Sequence, residues 1–276
     1  MNYLSPHGIQ LSGALPLSAC RLRKPYLLAQ AGLDTRSPDS VWVQMFAIPY
    51  FSPASHSPDA NLSAYAICED YHLFVKQLAE ALLPVLTADF QGFRFALFAD
   101  HSPIDEIDAA VKAGLGVKGK NGLLLTEAYS SYVFLGEIVT DLPLTPAPPL
   151  SPSPHPCEGC DACTAACPMQ QRGGICRSAL SQKKSPLIPK ETEMLREMDS
   201  VWGCDVCQQV CPCTALALQK GTIYSPIPFF RSNLLPRLTL PALDAMSEKE
   251  FARRAYAWRG LQTIRRNVEL QEKEVH

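Results

Sequence analysis

The sequence lacks any apolar run long enough to cross a membrane. Its apolar stretches, such as residues 122–125, are far shorter than the roughly 20 residues that a membrane helix needs. It also lacks a basic N-terminal segment followed by an unbroken apolar one, which is the pattern of a secretory signal. We therefore expect a cytoplasmic protein with no membrane partner, in a compartment that keeps thiols reduced.

An excess of charge of either sign is also missing. Lys and Arg number 25 against 27 Asp and Glu, a formal net charge of -2, so no overall basic field favours nucleic acid. A local basic patch is left open. With 47% hydrophobic and 19% charged residues, the 276-residue chain is typical of a globular protein with one large domain or a domain and a smaller module.

Hydrophobic patterning predicts an α+β, α/β-like catalytic or cofactor-binding domain over residues 1–141. Residues 1–38 are expected to be rich in loops, and strands are expected at 41–50, 93–99, 123–126 and 132–140. Apolar residues recurring every three or four positions predict a helix over 70–87. A second helix is expected to start with Ser102 as N-cap, Pro103 at its first position and Asp105 in its first turn, and to stop at Gly114.

Residues 142–156 contain seven prolines, which predicts a stiff connector between domains. A cysteine-rich domain is expected at 157–220 and a helical extension at 221–276. Ser247 and Glu250 form a capping-box pattern that predicts one helix running towards Val268, with Gly260 as its weak point. Its basic residues fit either contact with phosphates or an ordinary solvated helix face. They are Arg253, Arg254, Arg259, Arg265 and Arg266.

The densest chemical signal is the cysteines, nine of which fall within residues 157–213. Four of them form the pattern C-x2-C-x2-C-x3-C-P, namely Cys157, Cys160, Cys163 and Cys167. Bacterial ferredoxins with two clusters use this run, and their fourth cysteine ligates the other cluster. The spacing therefore predicts two [4Fe-4S] clusters in a ferredoxin-like domain, with a second cysteine run to complete them.

That second run is Cys204, Cys207 and Cys211 followed by Pro212, the same pattern without its first member. By reciprocity, Cys211 completes the first cluster with Cys157, Cys160 and Cys163. The second cluster then has Cys167, Cys204 and Cys207. Its fourth ligand is either Cys176, in the connecting segment, or Cys213.

Other uses of these cysteines are possible. Closely spaced C-x2-C pairs also hold zinc, which has no redox chemistry, whereas a disulfide framework does not suit a reducing compartment. Cys20 and Cys68 are expected to be small buried hydrophobic residues. Two clusters form an electron relay, and a relay needs an acceptor, which the N-terminal domain is large enough to hold.

Several motifs together resemble the epoxyqueuosine reductases, cobalamin-dependent iron-sulfur enzymes of queuosine biosynthesis that are related to reductive dehalogenases. The resemblance covers about residues 39–267. Besides the doubled cysteine run, its motifs are Tyr65-Ala66 with Asp70-Tyr71-His72, Asp100-His101-Ser102-Pro103-Ile104, Ala113-Gly114-Leu115-Gly116, Gly119-Lys120-Asn121 and Phe134-Leu135-Gly136-Glu137.

The resemblance implies that electrons pass through the clusters to a cobalamin, and that an aspartate donates a proton as an epoxide is reduced. Asp100 occupies the position of that aspartate, and Cys176 is preferred over Cys213 as the last cluster ligand. Cobalamin contacts are implied for Tyr71, His72, Gly119, Lys120 and Asn121. The glycines from 114 to 119 spell G-x-G-x-x-G, but they follow a helix and precede a strand, which is the wrong order for a dinucleotide site.

The resemblance further implies a ferredoxin or flavodoxin as electron donor, tRNA as partner and a monomer. The chain looks like a shortened homologue, without the helical repeats that help hold tRNA in longer members. It also has Ala64 and Ile107 where family members carry arginines. The alternative is a ferredoxin-like electron carrier, or a subunit of a larger reductase, that lacks cobalamin and tRNA activity.

Overall fold

The computed structural model describes residues 3–33, 36–150, 153–169 and 175–272. The chain divides into two compact units, each built from three separate segments. Unit 1 comprises Met1–Pro49, Phe74–Asp161 and Pro212–Ile227, and unit 2 comprises Tyr50–Leu73, Ala162–Cys211 and Pro228–His276. The four consecutive domains expected from the sequence are a different division of the chain and stay a prediction.

Among the residues that the structure describes, the strands all lie in unit 1. They are β1 (Leu11–Pro16), β2 (Trp42–Pro49), β3 (Phe95–Phe98), β4 (Val117–Lys118), β5 (Leu124–Leu125) and β6 (Val133–Thr140). Four of them form an antiparallel sheet in the order β1-β2-β6-β3, and β4 pairs with β5 in a separate ribbon. The mixed fold and the predicted strands are confirmed. The expectation that residues 1–38 are loop-rich is wrong for 11–16, which form an edge strand.

The helices are distributed over both units. They are α1 (Tyr26–Gln30), α2 (Tyr71–Asp89), α3 (Glu106–Lys112), α4 (Ala162–Ala166), α5 (Arg177–Ser181), α6 (Pro189–Arg196), α7 (Val206–Gln209), α8 (Pro212–Lys220), α9 (Leu240–Ala245), α10 (Glu248–Ala252) and α11 (Leu261–Glu272). The predicted apolar stripe of α2 is buried at Phe74, Leu78 and Leu82, but its last member is wrong, because Leu86 is buried and Val85 is exposed. No helix of the described residues is both long and apolar enough to span a membrane.

The core of unit 1 lies between the sheet and α3. Val43 and Met45 of β2, Val139 of β6 and Ala109 and Ala110 of α3 are fully buried together. Small alanines on α3 allow its backbone to approach the sheet closely. This packing fixes the N-terminal end of α3 over the middle of β6, where a buried acidic residue lies.

The start of α3 differs from the sequence expectation. Its N-cap is Asp105, whose carboxylate accepts a hydrogen bond from the Asp108 amide at 3.3 Å. The prediction of Ser102 as N-cap is wrong, because the Ser102 hydroxyl is engaged elsewhere and the helix begins only at Glu106. The predicted stop holds, since Gly114 follows the helix with a φ of 76°, a conformation that favours glycine.

Unit 2 is held by two apolar clusters. The larger surrounds Trp202 and Tyr256, both fully buried, and the smaller lies beneath α6 around Met194, Leu195 and Leu180. Asn267 of α11 joins two segments of this unit, because its amide donates to the carbonyls of Ser181 at 2.7 Å and Val201 at 2.9 Å.

The C-terminal segment is not one helix. The capping box of Ser247 and Glu250 forms as predicted, but it opens only the short α10. The chain then turns, and Gly260 with a φ of 88° precedes α11. The expectation of a single helix from 247 towards 268 is therefore wrong, because the weak point at Gly260 is a break.

The arginines of this segment bind within unit 2. Arg253 forms a bidentate pair with Glu69, at 2.5 and 2.7 Å, and Arg265 pairs with Asp244. Arg266 is half-buried and donates to the Lys183 carbonyl at 3.0 Å, and Arg254 donates to the Asn233 carbonyl at 2.7 Å. These side chains are spread over the end of α10, the segment after it and α11, and they do not form one basic helix face.

Candidate functional site

Two cysteines of unit 2, one from each run, lie on short helices. Cys163 lies within α4 and Cys207 within α7, and the two helices pack against each other. Cys176 is the residue just before α5, where its backbone caps the helix start. The packing of α4 against α7 brings a cysteine-bearing segment of the first run close to one of the second run, as paired clusters require.

The thiols of Cys176 and Cys204 lie close enough to Cys207 to raise its pKa. Burial, followed by the negative charges of Cys204 and Cys176, raises the pKa of Cys207 to about 12. Burial also raises the pKa of Cys204, with a contribution from Cys176. A thiol with a raised pKa stays protonated until a metal displaces its proton. Cys176 therefore lies in the electrostatic neighbourhood of both Cys204 and Cys207.

The donor set fits iron-sulfur clusters. All eleven cysteines are free thiols, so none is used in a disulfide. Within the described ranges, no three His, Cys, Asp or Glu side chains converge to hold a single metal ion. A [4Fe-4S] cubane takes one thiolate on each iron, so its ligands surround the cluster and do not converge on one atom. Cys68 is buried as expected, whereas Cys20 is only half-buried against the core of unit 1. Burial raises the pKa of each to about 12.

The first cysteine loop meets the predicted cofactor loop within unit 1. Lys120 donates from Nζ to the Cys160 carbonyl at 2.8 Å and to Asp161 Oδ1 at 2.7 Å. The Asp161 carboxylate raises the pKa of Lys120, and the thiols of Cys157 and Cys160 add to the effect. The loop that resembles a cobalamin-binding segment therefore touches the loop that carries the first two cysteines.

The turn at 119–121 is built by its own side chains. Asn121 Oδ1 accepts a hydrogen bond from the Leu123 amide at 3.1 Å, and a Cβ added at Gly119 would lie 2.6 Å from the same oxygen. A Cβ at Gly116 would lie 2.2 Å from the Leu125 carbonyl of the facing strand. Close backbone approach within the ribbon thus explains these glycines.

The other two predicted cofactor contacts belong to unit 2. The Tyr71 and His72 rings are 4.2 Å apart, and His72 Nδ1 lies 2.8 Å from Asp70 Oδ1. His72 is exposed and Tyr71 is half-buried, so neither is an ordinary core residue. The Asp70 carboxylate fixes the orientation of the imidazole.

Asp100 lies just after β3, as the sequence suggested, in an unusual backbone conformation. Its φ is 61°, in the left-handed region that a non-glycine residue rarely adopts. The Asp100 amide donates to Glu106 Oε1 at 3.0 Å, and the residue itself is exposed. Beside it, His101 contacts Lys24 Nζ at 3.0 Å and the Tyr26 hydroxyl at 3.4 Å. Lys24 and His101, beside this strained turn, are basic groups that can meet an anionic substrate.

No protein-family profile matches the chain. Comparison with curated relatives does show its family. The epoxyqueuosine reductase of Pseudomonas aeruginosa is 33% identical over 258 residues, which covers 91% of this chain and 66% of the relative. That of Lactococcus garvieae is 32% identical over 251 residues, covering 83% of this chain and 68% of the relative. The chain belongs to the epoxyqueuosine reductase family.

Solved structures agree on the fold. A crystal structure of epoxyqueuosine reductase with a tRNA-TYR epoxyqueuosine-modified tRNA stem loop superposes with a TM-score of 0.73 at 24% identity, covering 97% of this chain and 78% of that one. The chain spans only part of its curated relatives, with 66% of the length of the first and 68% of the second.

One motif shared with the epoxyqueuosine reductases has a clear structural reason in this chain. In residues 134–137, Gly136 faces Phe46 across the sheet, and a Cβ there would lie 2.5 Å from the phenyl ring. Glu137 follows it and is fully buried. Sequence reasoning missed Glu106 and Glu137 as functional candidates, although a charged residue inside the apolar strand β6 was a visible signal.

Proposed function

We propose that this member of the epoxyqueuosine reductase family is an iron-sulfur oxidoreductase that holds two [4Fe-4S] clusters and a cobalamin and reduces an epoxide to an alkene on tRNA. The contact of Lys120 with the Cys160 carbonyl and Asp161 carries this proposal most directly. It joins a cofactor loop to a cluster loop, which shortens the path that an electron must travel between them.

The cluster ligands follow from spacing and from the thiol neighbourhood described above. We assign one cluster to Cys157, Cys160, Cys163 and Cys211 and the other to Cys167, Cys176, Cys204 and Cys207. The proximity of Cys176 to Cys204 and Cys207 supports its place in the second set. When bound, the clusters supply single electrons and the cobalamin supplies a strongly reducing cobalt centre.

The chain's own residues provide the proton and the binding surface. Converting an epoxide to an alkene takes two electrons and two protons, and the oxygen leaves as water. We assign to Asp100 the donation of one proton to that oxygen, because its exposed carboxyl follows a strand at a strained turn. Tyr71, His72, Gly119, Lys120 and Asn121 are the proposed cofactor contacts. A ferredoxin or flavodoxin is the proposed electron donor.

The test is single-turnover reduction of an epoxyqueuosine-containing tRNA anticodon stem loop under anaerobic conditions. We expect the reconstituted chain to remove one oxygen atom from the modified base, measured by mass spectrometry. Asp100→Asn should keep its iron and cobalt but lose turnover by about 10²-fold or more. A chain that loads both cofactors and cycles electrons without forming product would instead be an electron carrier.

A further inference from the structure

The central strand of unit 1 carries a buried acid. Glu137 lies on β6 opposite Met45 of β2 and Phe98 of β3, and its side chain is fully buried. One of its carboxyl oxygens accepts the Ser102 hydroxyl at 2.6 Å. The other oxygen has no hydrogen-bond partner among the residues that the structure describes. An ionised carboxylate with one oxygen unsatisfied in such a place is strongly unfavourable.

A second acid lies at the start of α3, directly after the Asp100 turn. Glu106 Oε1 accepts the hydrogen bond from the Asp100 amide at 3.0 Å. Because the left-handed conformation of Asp100 is intrinsically costly, an acceptor for its amide helps to hold it there. A charged acceptor makes this bond stronger than a neutral one.

The two acids influence one another. Burial raises the pKa of Glu106 to about 7 against the hydrogen bond from the Asp100 amide, which lowers it; the charges of Asp100 and Asp105 add to the rise, and Lys24 opposes it. Burial and then the charge of Glu106 raise the pKa of Glu137 well above its usual range, against the hydrogen bond from Ser102. A fully buried carboxyl group does not ionise readily beside a second carboxyl group that carries a charge.

The same acids hold both ends of the segment 100–104. Glu106 binds the amide of Asp100 at one end. At the other end Ser102 donates to Glu137, and the Ser102 oxygen accepts the Ile104 amide at 3.1 Å. The turn that carries Asp100 is thus tied to α3 and to the sheet by two carboxyl groups.

We propose that Glu106 and Glu137 hold one proton between them, carried by Glu137, and that the pair positions Asp100 by fixing the segment 100–104. The shared proton is a property of the folded chain itself. The positioning role rests on the proposed function, because it concerns the aspartate assigned there as proton donor. Neither glutamate needs to touch the substrate.

The shared proton is tested by infrared spectroscopy of the protonated carboxyl group on the anaerobic, cofactor-loaded chain at about pH 8. We expect one protonated-carboxyl band that disappears in Glu137→Gln and remains in the control Glu80→Gln, an exposed partner of Lys76. A wild-type chain without the band, or a band that survives in Glu137→Gln, would overturn the proposal.

The positioning role is tested by kinetics on the same preparations. Glu106→Ala should lower kcat by about 10²-fold with KM little changed. Glu106→Gln, which keeps an acceptor oxygen for the Asp100 amide, should recover most of that loss. Both variants should retain wild-type iron and cobalt.

The outcomes separate the two proposals. If the wild-type chain is inactive while the infrared result holds, the proposed function fails and the carboxyl pair stands. If the wild type is active and Glu106→Ala turns over at the wild-type rate, the positioning role is wrong.

Discussion

At the scale of single residues, Ser102 and Asp105 show how a local pattern can be read correctly and assigned wrongly. Ser102 followed by Pro103 has the right residue types for a helix start. The hydroxyl is instead used by Glu137, which is distant in the sequence, and Asp105 takes the capping role three residues later. Residue type predicted that a cap exists, whereas the position of the cap depends on a tertiary contact.

Asp100 was predicted to be the proton donor from its motif and from its position after a strand. The structure confirms only the position, just after β3. Its dependence on Glu106 and Glu137 was not identified, because no spacing rule links a helix start to the middle of a distant strand. The only local signal was a glutamate within the apolar sequence of β6.

The fourth ligand of the second cluster gives a prediction at this scale. Cys176→Ser should lose about four of the expected eight irons per chain, because a cubane without one thiolate is poorly retained. Cys213→Ser is the matched control and should keep both clusters. Iron and acid-labile sulfide per chain measure the effect. Loss of iron in Cys213→Ser together with full iron in Cys176→Ser would reverse the assignment.

At the scale of elements, segments with a clear hydrophobic pattern were predicted accurately, whereas a strand made of poor strand formers was missed. The stripe of α2 and the β-branched residues of β2 and β6 identified those elements. Strand β1 contains Gly13, Ala14 and Pro16, which are poor strand formers, and it exists because it pairs along β2. Gly260 was expected to weaken a single helix, but the sequence did not show that the helix ends before it and that α11 begins after it.

The contact of Gly136 with Phe46 gives a prediction for the sheet. Gly136→Ala should destabilise the chain by about 1–3 kcal/mol, because the new methyl group overlaps the buried phenyl ring. Phe46→Leu in the same chain should recover part of this loss by removing the ring edge. Denaturant midpoints of the single and double variants measure both effects. Equal stability of Gly136→Ala and the parent would show that the sheet relaxes without cost.

At the scale of the whole molecule, the division into two units was not visible in the sequence. Each unit combines segments that are far apart along the chain, and such contacts leave no periodic pattern. The proline-rich connector was predicted from composition and the cysteine-rich domain from composition and spacing, and both stay predictions. The resemblance to a known family suggested the chemistry. The hydrogen bonds and burial in the structure led to the proposal for the carboxyl pair.

Buried acids predict how the stability of the molecule depends on pH. Burial raises the pKa of Glu106 to about 7, of Asp205 to about 6 and of Glu137 well above its usual range. The folded chain therefore holds protons that the unfolded chain releases above about pH 4.5, so stability falls as pH rises from about 5 to about 8. Each such group contributes a slope of up to about 1.4 kcal/mol per pH unit within its own range.

Denaturant titrations at several pH values, on the anaerobic cofactor-loaded chain, measure this slope. Glu137→Gln should flatten it, because the amide has no proton to release, and Glu80→Gln should leave it unchanged. A slope of opposite sign between about pH 5 and about pH 8 would contradict the burial of these acids.

The central claim is that one chain holds two [4Fe-4S] clusters and one cobalamin. The most direct test is anaerobic reconstitution with cobalamin, followed by gel filtration and analysis of iron, sulfide, zinc and cobalt on the same peak. The account predicts about eight irons, about eight sulfides and about one cobalt per chain. Zinc in place of iron, or a full complement of iron without cobalt, would contradict it.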